Sequence, residues 1–195
     1  MIIGLTGGIA VGKNESANFF KTYHDIYSID VDAISKEITT RRTLILDKLI
    51  QVFGHNILLN GSLNRKKMGY IIFSDKLARK EIEKITHNHI IMYAKKIISY
   101  KMKYKYNIII NAPLLFESGL NKICDKIIII KATYNIQVKR IMLRDNLNIT
   151  EINKRIYSQM PIDEKIRYAD YVVDNTGSKK DLKKEIDNLH RLLTS

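Results

Sequence analysis

Residues 7–13, Gly7-Gly8-Ile9-Ala10-Val11-Gly12-Lys13, follow the spacing G-x-x-x-x-G-K. Glycine admits backbone angles that a Cβ opposes, so successive N–H groups can turn inward onto phosphate oxygens. A helix starting at the second glycine adds the partial positive charge of its amino end. Lys13 brings a point charge to the β- and γ-phosphates. This is the chemistry of gripping ATP, with Gly8, Ile9, Ala10, Val11, Gly12, Lys13, Asn14 and Glu15 as the expected contacts. The motif asks for Ser or Thr after the lysine, to place a hydroxyl on Mg2+; the chain has Asn14, then Glu15. A carboxamide oxygen is a hard ligand that binds Mg2+ directly or through water, but it reaches further than a hydroxymethyl. Asn14 is therefore a candidate metal contact, Mg2+ with ATP is the expected cofactor, and a retained but weakened Mg2+ dependence is expected. Glu15 either helps to hold the metal or repels phosphate.

A phosphoryl donor needs an acceptor, and an attacking hydroxyl needs a group that orients it and takes its proton. Asp30-Val31-Asp32 offers two carboxylates at the carboxyl end of a strand, where open α/β sheets place ligands. Asp32 is read as the base. Asp30 is read as the cap of the helix that follows, a role Asp favours. Arg140 and Arg144 lie four residues apart, hence on one helix face, and guanidinium groups bind phosphate oxygens bidentately and spread developing charge. The pair closes over a polyphosphate or forms a solvated basic face, with Arg155 nearby. Asp174 to Gly177 spells D-x-x-G, but Asn121-Lys122-Ile123-Cys124 lacks the Asp of N-K-x-D, which excludes a GTPase.

These residues must be positioned by an alternating frame. Short or continuous apolar runs at 2–6, 26–29, 107–111, 126–131 and 171–173 read as buried parallel strands. Helical spacing occupies 12 to about 23, 136–145, 150–160 and 179–193. Residues 33–103 are mostly helical in pattern, with Leu44, Leu46, Leu49, Ile50 and Phe53 forming one apolar stripe. The predicted fold is α/β: a three-layer α/β/α P-loop NTPase fold with a parallel, doubly wound sheet, a helical insertion and a small lid. One domain is expected over 1–195, with a core of about 1–32, 104–135 and 168–195, the insertion at about 33–103 and the lid at about 136–167.

A formal charge of +13 and a pI near 9.7 fit a nucleic-acid partner or a field that steers polyphosphates. Lysine is spread along the whole chain rather than clustered, so no nucleic-acid partner is expected. Apolar runs far shorter than a spanning helix and no basic leader predict a cytoplasmic protein without membrane attachment. The single cysteine, Cys124, is read as structural.

Gly4-Leu5-Thr6-Gly7-Gly8-Ile9, Gly12-Lys13 and Ile29-Asp30-Val31-Asp32 together resemble the opening of the dephospho-CoA kinase family. Further landmarks follow in order: Phe53-Gly54, Gly61-Ser62-Leu63-Asn64-Arg65, Phe73, His87, Pro113-Leu114-Leu115-Phe116-Glu117, Arg140, Arg144, Gln159-Met160, and Ala169-Asp170-Tyr171-Val172-Val173-Asp174-Asn175-Thr176-Gly177. The resemblance spans nearly the whole chain. It implies ATP and 3′-dephospho-CoA as substrates and coenzyme A, phosphorylated on the ribose 3′-hydroxyl, as product. It matches Asp32 to the family's base and the insertion to a CoA-binding subdomain, where Arg65 and His87 become substrate contacts. It adds Leu115 and Glu117 on the substrate side, a lid carrying Arg140 and Arg144, and Asn175 in a turn near the adenine. A monomer or weak homo-oligomer is expected. By residue type alone, Arg65 is equally a surface arginine, His87 a helix-terminus or core group, and Glu117 a structural cap. The chain departs from the family pattern at Ala10 and Val11 (Gly and Ser), Asn14 (Ser), Asn88 (Pro) and Asn111 (Asp). Another small-molecule kinase of nucleoside or shikimate type, and a nucleic-acid-binding relative that lost catalysis, are the competing readings.

Overall fold

The structure is a computed structural model that describes residues 1–40 and 43–194. The side chain of Phe73, one of the landmarks above, lies outside the described part. In chain order the elements are β1 (Ile2–Gly7), α1 (Lys13–Phe20), β2 (Ile26–Asp30), α2 (Val31–Ile38), α3 (Leu44–Phe53), β3 (Leu58–Leu59), β4 (Ser62–Leu63), α4 (Arg65–Ser74) and α5 (Lys76–Met102). There follow β5 (Asn107–Asn111), β6 (Lys126–Lys131), α6 (Tyr134–Asp145), α7 (Ile149–Tyr157), α8 (Ile162–Ile166), β7 (Tyr171–Asp174) and α9 (Lys179–Thr194). They divide into two compact units, one of Met1–Ile29 with Ile98–Ser195 and one of Asp30–Ile97.

The first unit carries the five-stranded sheet, ordered β2-β5-β1-β6-β7. β1 pairs in parallel with both β5 and β6, placing Ile3 beside Ile109 on one side and Gly4 beside Ile127 on the other. β6 pairs in parallel with β7, Ile130 beside Val173. The isoleucine runs make sense here. A strand covered on both faces buries every residue, and β-branched side chains fit the pleat; Ile108, Ile109, Ile110, Ile128, Ile129 and Ile130 are all fully buried. Phe20 of α1 and Leu182, Ile186 and Leu189 of α9 close the same core against Ile3, Leu5 and Ile128. Each such side chain contributes about 1.5–3 kcal/mol by leaving water.

The second unit packs Ile45 and Leu49 of α3, Ile57, Met68 of α4 and Ile82 of α5 into a small core of its own. Its helices start where short polar side chains take up free N–H groups. Thr43 accepts from Leu46 N at 3.2 Å and Asn64 from Lys67 N at 3.1 Å. The sequence pattern reads as mostly helix here, and the structure adds the antiparallel β3–β4 hairpin. Its turn is Asn60-Gly61 with φ of 52° and 74°. Asn-Gly supplies two positive φ angles in the turn that matches strand twist. Two other boundaries differ from expectation: α1 stops at Phe20, and the chain past α7 forms the separate short α8.

Candidate active site

The loop between β1 and α1 is fixed from below by contacts that leave no room for side chains. A Cβ on Gly7 would lie 2.2 Å from the Ile130 carbonyl oxygen, and one on Gly12 would lie 2.1 Å from Asn175 Nδ2. Gly12 sits at φ 91°, which an L side chain resists. Ala10 is also left-handed, at φ 57°, so the chain tolerates a Cβ where glycine is the unstrained choice. Val11 is buried in the core of the first unit, and its side chain anchors the loop rather than facing a ligand.

Two residues from outside hold the loop, and a third lies against it. Asn175, buried at the end of β7, donates from Nδ2 to the Val11 carbonyl at 2.8 Å. Arg140 of α6 reaches the Ala10 carbonyl at 3.3 Å and the Asn175 carbonyl at 3.1 Å. Gln137, one turn earlier, is buried, and its Oε1 lies 3.2 Å from where a Cβ on Gly8 would stand. Sequence reasoning missed Gln137, because a glutamine inside a helix carries no spacing signal.

Lys13 opens α1 and is buried. Its Nζ donates to Asn111 Oδ1 at 2.7 Å and to Asn14 Oδ1 at 3.2 Å. Asn111, at the end of β5 and buried, donates from Nδ2 to the same Asn14 oxygen at 3.1 Å. An ammonium has no acceptor, so the atoms facing it must be carboxamide oxygens, and the orientation of both asparagines follows. A carbonyl oxygen has two lone pairs. Both on Asn14 therefore face donors, and a metal ion there would have to displace them. Among the described residues no group of three His, Cys, Asp or Glu side chains is placed to hold a metal.

The remaining expected contacts of the first unit have other partners. Glu15 pairs with Lys179 of α9 at 2.6 Å. Arg144 binds Asp145 through Nε and Nη2, at 2.8 and 2.9 Å, and Arg155 joins the same carboxylate at 2.9 Å. These bonds hold the Asp145 carboxyl below its usual range. Arg140 is thus at the loop while Arg144 is tied along the helix. Leu115, read from the resemblance as a substrate contact, is completely buried, and a Cβ on Gly4 would lie 2.7 Å from its Cδ2. Glu117 Oε1 accepts from Met160 N at 3.0 Å and faces Lys165 Nζ at 3.2 Å. Lys165, fully buried on α8, also donates to the Pro113 carbonyl at 3.2 Å. Glu117 thereby fastens the stretch before α8 to the turn after β5. Nothing in a lysine-rich sequence distinguishes Lys165 from its neighbours. Burial pushes the Cys124 thiol up to about 12, with Asp125 adding to it, as suits a structural cysteine.

In the second unit Asp30 is a cap, its Oδ1 accepting from Asp32 N at 2.9 Å and Ala33 N at 3.2 Å. That leaves Asp32 exposed on the first turn of α2. Arg65, at the start of α4, donates to the Thr39 hydroxyl at 2.6 Å. Partial burial pulls its guanidinium below the ordinary range, and the Asp32 carboxylate acts in the opposite sense. The structure therefore brings Asp32 and Arg65 into one electrostatic neighbourhood. His87 lies half-buried in mid-α5, away from either helix end. With Asn88 in place of proline, α5 runs through this point unbroken.

A buried lysine at the foot of a glycine loop, between parallel strand ends and a helix start, can grip a polyphosphate. Comparison with known proteins agrees. The family model described as dephospho-CoA kinase matches residues 1–181. A dephospho-CoA kinase of Fusobacterium nucleatum is 37% identical over 96% of this chain and 95% of its own length. The solved dephospho-CoA kinase from Campylobacter jejuni superposes with a TM-score of 0.72 at 29% identity, covering 98% of this chain and 96% of that one. A shikimate kinase from Bacteroides thetaiotaomicron, 12% identical with a TM-score of 0.54 over 100% and 99% of the two chains, shares the fold alone. The chain belongs to the dephospho-CoA kinase family.

Proposed function

We infer that the chain phosphorylates dephospho-CoA with ATP, and that the ribose 3′-hydroxyl is the acceptor. The observation that carries the reading is Lys13, buried beneath a glycine loop in a chain whose family match covers residues 1–181. The loop amides of Gly8 to Gly12 and the Lys13 ammonium hold the β- and γ-phosphates. ATP enters as its Mg2+ complex, the metal carried by the nucleotide's own phosphates. The acceptor oxygen attacks the γ-phosphorus, the bond to the β-phosphate oxygen breaks, and ADP leaves. Asp32 takes the acceptor's proton, and Arg65, close enough for Asp32 to act on its charge, steadies the substrate side. Arg140, already aimed at the loop's Ala10 carbonyl, spreads the charge of the transferred group.

The test is a coupled ADP-release assay with dephospho-CoA, adenosine and shikimate as alternative acceptors. Turnover is expected with dephospho-CoA alone. Asp32→Asn is expected to lower kcat by about 10²–10⁴-fold with little change in the KM for ATP. A variant as fast as the wild type removes Asp32 from the mechanism, and turnover with adenosine or shikimate replaces the acceptor assignment.

A further inference from the structure

P-loop enzymes hold Mg2+ through the Ser or Thr after the loop lysine and an Asp on a neighbouring strand. This chain has a carboxamide at both places, Asn14 and Asn111, and the structure joins them to each other and to Lys13. Two consequences follow from charge and valence. Asn111 accepts the Lys13 ammonium without neutralising it, so the foot of the loop is one unit more positive than with an aspartate. Asn111 also spends its Nδ2 on Asn14, something a carboxylate cannot do, and so keeps the Asn14 oxygen turned toward two donors. The first effect favours a bare polyphosphate. The second leaves a divalent cation no open lone pair on Asn14, and on Asn111 only the one lone pair of an oxygen already held by the Lys13 ammonium.

We propose that the Asn14–Asn111 pair makes nucleotide binding by this loop nearly indifferent to divalent cation, so that ATP is recognised through its phosphates and brings its own metal. The proposal rests on the loop being the ATP site. Its test is calorimetric titration of the whole protein with a non-hydrolysable ATP analogue, once in excess Mg2+ and once in EDTA. The dissociation constants are expected to agree within about threefold for the wild type, the penalty in EDTA growing to about tenfold or more in Asn14→Ser/Asn111→Asp, about 1.4 kcal/mol of metal coupling. Thermal melts verify that the double variant is folded; Asn14→Ser alone, which leaves the buried position intact, is expected to show part of the increase. A wild type that already loses tenfold or more in EDTA overturns the proposal. So does a coupling that neither variant changes. No binding in either buffer strikes instead at the ATP site itself.

Discussion

Ala10 holds φ 57° where its Cβ crowds the backbone, a conformation that costs an L residue about 1 kcal/mol or more. Replacing alanine by glycine in an ordinary loop lowers stability, because the unfolded chain gains freedom. Here relief of the strain outweighs that loss. Ala10→Gly is expected to raise stability by about 0.5 kcal/mol, read as a higher urea midpoint at unchanged m-value; a lower midpoint contradicts the strain. Residue type did foreshadow part of this site. Lys13 and Gly12 stood out by spacing, and the cap at Asp30 followed from residue preference, its carboxylate taking two N–H groups. What stayed hidden was pairing across the chain, such as Asn111 with Lys13 and Asn175 with Val11. An amide side chain announces nothing until its neighbour is known.

Among the elements, β5 and β6 were legible to the residue, since an unbroken isoleucine run fits a strand buried on both faces, while β1 runs one residue past its expected end. The hairpin went unread, because the surrounding helical periodicity masked its Asn60-Gly61 turn. Helix α8 was not legible either: five residues are too few for a period to show. Its hold on the rest of its unit is the Lys165–Glu117 pair, with Lys165 fully buried. Removing one partner of a buried pair strands the other's charge, whereas removing both can be nearly neutral. Lys165→Met is expected to destabilise by about 3–5 kcal/mol, and Lys165→Met/Glu117→Gln to recover at least half of that in chemical denaturation. Equal losses in the single and double variants would show that the pair does not act as a unit.

At the scale of the molecule, the sheet is assembled from distant parts of the chain. β1 lies between β5 and β6, so its two pairing partners begin only at Asn107 and Lys126. The other unit, Asp30–Ile97, is one continuous stretch with a small core drawn from its own residues. On the ribosome the first strand to emerge must therefore wait, unpaired, until both partners have left the exit tunnel. The middle of the polypeptide matures ahead of its amino end, since contacts short in sequence close sooner than long ones. Pulse proteolysis of stalled nascent chains is expected to protect the 30–97 stretch while residues 1–29 are still cut, and protection of both together would refute that order. On that order birth and folding run opposite ways, and the end that carries the glycine loop is the part that any delay in synthesis leaves unshielded longest.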